Sequence, residues 1–198
     1  MFQNSLPCVS LPAFMHAGSA VHELRAPSGT AAHVGLAMLV LGAVARQGPV
    51  LWMSAAADWY PPGLAWAGID PARCLFAQAA SDAEALGSTE LALRGGMAGV
   101  VECHELSRLA AKKLALAARQ GHAVGLVLRH APARTSQDST AFTSRWMVNP
   151  APGSPHIPRL QAKLLYAKGA MPGDYLFEIR EGQNGAAPHI IAPMRRAG

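Results

Sequence analysis

Between Ala20 and Leu128, short apolar runs alternate with helix-forming stretches, and this alternation restricts the fold more than any single motif does. The runs are Ala20–Arg25 (AVHELR), Val50–Ser54 (VLWMS), Cys74–Gln78 (CLFAQ), Ala98–Glu102 (AGVVE) and Ala123–Leu128 (AVGLVL). Most are apolar at nearly every position, the signature of strands buried on both faces of a parallel sheet. The stretches between them carry helix punctuation. Thr30–Gln47 closes on Gly48 and Pro49, Tyr60–Gly68 opens on Pro61 and Pro62, and Ser81 with Glu84 forms a capping box whose helix ends at Gly95-Gly96. The last, Glu105–Gln120, places Leu106, Leu109, Ala110, Leu114 and Ala117 on one stripe and Glu105, Arg108, Lys112 and Arg119 on the other, and Gly121 stops it. Strand–helix–strand repeats of this kind require right-handed crossovers and a helix layer on each side of the sheet.

After Arg129 the alternation ends. Residues 131–140 read as a polar, turn-rich loop, and Phe142–Val148, Leu160–Lys168 and Tyr175–Arg180 read as strands without intervening helices. Pro150, Pro152, Pro155 and Pro158 are expected to hold the first connection open, and Met171-Pro172-Gly173 to make a tight reversal. The expected architecture is a three-layer α/β fold, mainly parallel, with an antiparallel C-terminal extension. An N-terminal segment (1–19), a core (20–180) and a flexible tail (181–198) complete the expected division. A 51% hydrophobic and 15% charged composition suits one packed core and excludes a disordered chain.

Composition also bounds partners and compartment. The formal charge of +5 favours polyanions or acidic protein faces without amounting to a basic arm. Cys8, Cys74 and Cys103 are odd in number and form no C-x-x-C pair, which reads as reduced, mostly buried thiols in a cytoplasmic protein. Pro7 and Pro12 interrupt any N-terminal apolar run, against a signal peptide, and Val34–Ala45 falls short of the roughly 18 residues of a membrane span.

Ligands of open α/β sheets bind at the carboxyl ends of the strands, so the loops there are the places for chemistry. A working phosphate loop reads G-x-x-x-x-G-K-[ST]: backbone wraps the phosphates, lysine neutralises them, and the hydroxyl holds magnesium. Ala26–His33 (APSGTAAH) instead places Ala32 and His33 at the lysine and hydroxyl positions. Ser28, Gly29 and Thr30 precede a helix N-terminus and retain some anion-binding character, or serve only as caps. Glu102 stands where an acidic residue would hold magnesium, or it pairs locally. Cys103 and His104 point to opposite sides of a strand and form no nucleophile–base pair. Arg129 and His130, with Arg134 in the following loop, are the candidates for contact with a nucleic-acid backbone. Trp52, Trp59, Trp66 and Trp146 are assigned to core or interface, and the scattered histidines fit no zinc pattern.

Several segments together resemble the ImuA family: Tyr60–Phe76 (YPPGLAWAGIDPARCLF), Ala92–Glu102 (ALRGGMAGVVE), Leu106–Ala118 (LSRLAAKKLALAA), Thr143–Val148 (TSRWMV), and His22-Glu23-Leu24 before an alanine-rich helix. They lie in the right order over most of residues 20–180. The resemblance implies a RecA-like core, no resident cofactor, and ATP with magnesium disfavoured by the degenerate loop. It also implies an accessory role in SOS-induced, error-prone translesion synthesis in the cytoplasm, at or near the nucleoid. The implied partner is ImuB, and through it an error-prone replicative-type DNA polymerase and the sliding clamp; single-stranded DNA and self-association are further possibilities. Where RecA proteins carry a catalytic glutamate after the second strand, this chain has Ala55, Ala56 and Ala57. A SulA-type inhibitor of cell division, or a residual ATP- and DNA-binding enzyme, are the alternative readings.

Overall fold

The computed structural model describes residues 15, 19–44, 48–55, 61–130, 141–154, 157–179 and 190–194. In chain order the elements are β1 (Ala20–Ala26), α1 (Ala32–Val44), β2 (Val50–Ser54), α2 (Pro61–Trp66), β3 (Cys74–Gln78), α3 (Asp82–Arg94), β4 (Ala98–Glu102), α4 (Arg108–Gly121) and β5 (Val124–His130). Then come β6 (Ser144–Ser154), β7 (Ile157–Ala167), β8 (Gly173–Glu178) and β9 (Ile190–Met194). They build one nine-stranded sheet in the order β3-β2-β4-β5-β1-β6-β7-β8-β9. From β3 to β6 all neighbours are parallel; β7, β8 and β9 add in antiparallel fashion. This is the three-layer, RecA-like α/β arrangement expected, with β1 central and the hairpins on one flank.

Side-chain alternation divides the core in two. One set, including Leu24, Trp52, Val100, Leu126 and Trp146, packs under α1 and α2. The other, including Val21, Met53, Val101, Val127 and Phe142, packs under α3 and α4. Helix α1 is apolar on nearly all sides, and eight of its residues are buried.

Several boundaries differ from expectation for identifiable reasons. Helix α4 starts at Arg108 because Ser107, not Glu105, caps it: its Oγ accepts the Ala110 N–H at 3.1 Å. The buried stripe of α4 is Ala111, Leu114, Ala117 and Ala118; Leu109, assigned to the stripe, is 65% exposed. Strand β6 runs on through Pro150 and Pro152, which were expected to hold a connection open. Its pairing to β1 stops at Met147, so beyond that point β6 has β7 on one side only, and an edge tolerates proline. Within the segment expected to be a tail, residues 190–194 form β9 against β8. No helix among the described residues is long and apolar enough to cross a membrane.

Candidate functional site

The carboxyl ends of β1, β2, β4 and β5 open on a cleft of about 280 Å³. Thr30, Ala31, His33, Val34 and Met38 line it from the loop and first turns of α1, and Trp52, Glu102 and His130 from the sheet. Gly63, Leu64 and Phe76 close the far side. This is where a RecA-like sheet would hold a nucleotide.

The loop that should wrap phosphates is a tight turn instead. Both the Thr30 N–H and the Thr30 hydroxyl donate to the Pro27 carbonyl, at 3.3 and 3.1 Å, and Gly29 takes φ +80° inside that turn. Ser28 and Gly29 are exposed and do not line the cleft. The first helical bond runs from the Gly35 N–H to the Ala31 carbonyl, so Ala31 stands at the cap position. Neither Ser28 nor Thr30 caps α1, contrary to that reading of the sequence. Alanine has no side-chain oxygen to meet the free N–H groups of the first turn.

Among the described residues Glu102 is the only carboxylate in the cleft lining. Its Oε1 accepts the Trp52 indole N–H at 2.9 Å and its Oε2 accepts the Ser54 hydroxyl at 3.1 Å. Both donors sit on the neighbouring strand β2 and are buried, so the carboxylate is fixed in direction by two neutral groups. Opposite it, His33 is 3% exposed, packs edge-on against His130 with ring centroids 4.6 Å apart, and leaves Nδ1 without a hydrogen-bond partner. Burial, then the neighbouring His130, push His33 down to about 4, so it is neutral at physiological pH. The described lining therefore carries one anion and no lysine or arginine. A nucleoside triphosphate with magnesium needs cationic partners for its phosphates, and these residues do not fit it. Among the described residues no three histidine, cysteine or carboxylate side chains gather as metal ligands.

The opposite face of the same strand ends holds a second constellation. Glu23, 1% exposed, accepts from Arg25 Nε at 2.9 Å, Arg145 Nε at 2.6 Å and Arg129 Nη1 at 3.1 Å. Register explains the gathering: Glu23 lies beside Arg145 across the β1–β6 ladder, and Arg25 beside Arg129 across β1–β5. Burial alone would raise the Glu23 carboxyl, but hydrogen bonds and charge from Arg25 and Arg145 hold it below its ordinary value. Arg129 also donates through Nη2 to the His104 carbonyl at 2.8 Å. Behind Arg129, burial pushes the Cys103 thiol up to about 12.

The residues singled out from the sequence are thus partly assembled. Thr30, Glu102 and His130 meet in the cleft. Arg129 and His130 were grouped as a nucleic-acid contact, but strand alternation sends them to opposite faces, and Arg129 is committed to Glu23 and His104. Arg134 lies outside the described residues, as do Cys8 and Trp59. Sequence reasoning passed over His33, Trp52 and Ser54 as site components, and the Glu23 cluster altogether. The i, i+2 spacing of Glu23 and Arg25 in an apolar strand was the available signal for the cluster.

Fold and cleft together define a RecA-like protein whose phosphate-loop lysine and hydroxyl positions hold alanine and histidine. No family profile matches the chain. Protein ImuA from two strains of Caulobacter vibrioides is 30% identical to it over 183 residues, spanning 83% of this chain and 75% of each relative. The chain belongs to the ImuA family.

Proposed function

We propose that this chain is a non-catalytic, RecA-like accessory protein of SOS-induced, error-prone translesion synthesis. In this reading it docks ImuB, and through ImuB joins an error-prone replicative-type polymerase and the sliding clamp, in the cytoplasm. Membership of the ImuA family supports the biological setting. The non-catalytic role rests on one observation: the cleft that should hold nucleotide presents neutral His33 and anionic Glu102 where cations are needed. The sheet and its two helix layers are intact, so a binding scaffold outlasts the loss of the phosphate loop.

Two measurements on purified protein test this. Pull-down with ImuB is expected to recover a stoichiometric complex, and ATP hydrolysis with magnesium is expected to stay at the buffer rate. Hydrolysis abolished by Glu102→Gln, or failure to bind ImuB, overturns the reading. Overproduction that filaments cells while leaving damage-induced mutagenesis unchanged would instead favour a SulA-type inhibitor.

A further inference from the structure

Three other buried or half-buried carboxylates are matched by arginine, while Asp82 lies 4.0 Å from the His104 ring. Glu23 has Arg25, Arg129 and Arg145; Glu178 has Arg159; Glu90 has Arg94. Glu102 has only the Trp52 indole and the Ser54 hydroxyl. Each of its oxygens keeps a lone pair beyond the one used, and both are held in a cleft whose remaining wall is largely apolar. A carboxylate in such surroundings gains most from a cation that also brings apolar contact.

We propose that the cleft is a receptor for one arginine side chain displayed on an exposed segment of a partner protein. Three independent features select that occupant. Among the described residues the lining carries one carboxylate and no lysine or arginine, so a monocation is the ligand complementary to them. Its volume of about 280 Å³ lies at or below the low end of the ~300–1,000 Å³ typical of drug-sized ligands, which suits a single side chain better than a nucleotide. The group awaiting a partner is an acceptor: each carboxylate oxygen of Glu102 keeps a lone pair beyond the one given to Trp52 or Ser54. A guanidinium offers five donors and no acceptor, which matches a carboxylate that keeps lone pairs to give. The adaptor reading supplies the identity of the arginine donor; the recognition chemistry stands without it.

The test uses the intact chain and three short peptides identical but for a central arginine, citrulline or lysine. Citrulline has almost the same shape as arginine and no charge. Binding is followed by backbone amide shifts, with titration into the millimolar range because one side chain binds weakly. The arginine peptide is expected to move the amides of residues 30–34 and 102, and to bind about tenfold more tightly than the citrulline peptide, as a charge-assisted contact requires. Glu102→Gln is expected to remove that preference. Equal binding of arginine and citrulline, shifts confined to other surfaces, or a tighter response to ATP with magnesium at residues 30–34 overturns the proposal. The peptide comparison on the wild-type chain decides the matter even if Glu102→Gln fails to fold. Failure to capture ImuB while the arginine preference persists would sink only the adaptor reading; capture of ImuB without that preference would sink only this one.

Discussion

Two residues show how the same sheet sets opposite chemistry on its two faces. Glu102 is held by neutral donors and looks outward into a cleft, whereas Glu23 is enclosed by three guanidinium groups. Neutralising Glu23 would leave those cations buried without their shared anion, a situation that typically costs about 3–5 kcal/mol. Glu23→Gln is therefore expected to lower the urea midpoint far more than Glu102→Gln, and equal midpoints would refute the assignment of the cluster as structural. Cys103 gives a second residue-level expectation. With its thiol 5% exposed and pushed up to about 12, almost none is thiolate at pH 8, and thiolate is the reacting form. In the folded chain Cys103 is expected to resist a thiol reagent that labels it fully in denaturant; mass spectrometry of the Cys103 peptide reads this directly.

At the scale of elements, the end of α4 illustrates what pattern reading captures and what it misses. Gly121 was read as the stop of this helix. It is the last helical residue, and the left-handed cap is His122, at φ +51°. Glycine is required at 121 for a different reason: a Cβ there would lie 1.9 Å from the Leu93 carbonyl oxygen at the end of α3. Gly121→Ala must push two helices apart and is expected to destabilise by at least about 1–3 kcal/mol, the usual cost of overpacking. His122→Gly relieves a left-handed residue and is expected to be neutral or stabilising by up to about 1 kcal/mol. If the two substitutions behaved alike in thermal unfolding, the close approach would be wrong. A helix stop is local and visible in sequence, but the neighbour that Gly121 touches belongs to another helix. The same division runs through the fold. Strands β2, β3 and β4 fall where the apolar runs end in turn residues, while β9 sits in a segment rich in glycine and proline that carries no strand pattern. In the cleft, Thr30, Glu102 and His130 were legible as loop-end residues. Trp52 and Ser54 were not, because they serve Glu102 only once strand order places β2 beside β4.

For the whole molecule, the buried histidines tie the fold to pH. His22 is fully buried on β1, its Nδ1 2.7 Å from the Ser144 hydroxyl, which also accepts the Trp146 indole N–H at 2.8 Å; this bridges β1 and β6. Burial lowers His22 from 6.5 to about 4, and His33 is lowered to the same value, so the folded chain refuses protons that the unfolded chain accepts. Stability is then complete above pH 6.5, where both states are neutral, and falls as pH drops from 6.5 toward 4. At about 1.4 kcal/mol per pH unit, each histidine contributes on the order of 3 kcal/mol of loss if the shift is fully realised. Glu23 acts in the same direction at lower pH, since its depressed carboxyl stabilises the fold above the ordinary glutamate value and loses that contribution as it is protonated. Urea midpoints measured from pH 7.5 to 4.5 are expected to begin falling near pH 6.5, well before carboxylates titrate, and His33→Phe is expected to flatten the upper part of that slope. A midpoint constant between pH 7 and 5 would mean that the sheet ends admit protons and water. In that case the cleft could not hold His33 neutral, and the charge pattern that disfavours phosphate there would lose one of its two supports.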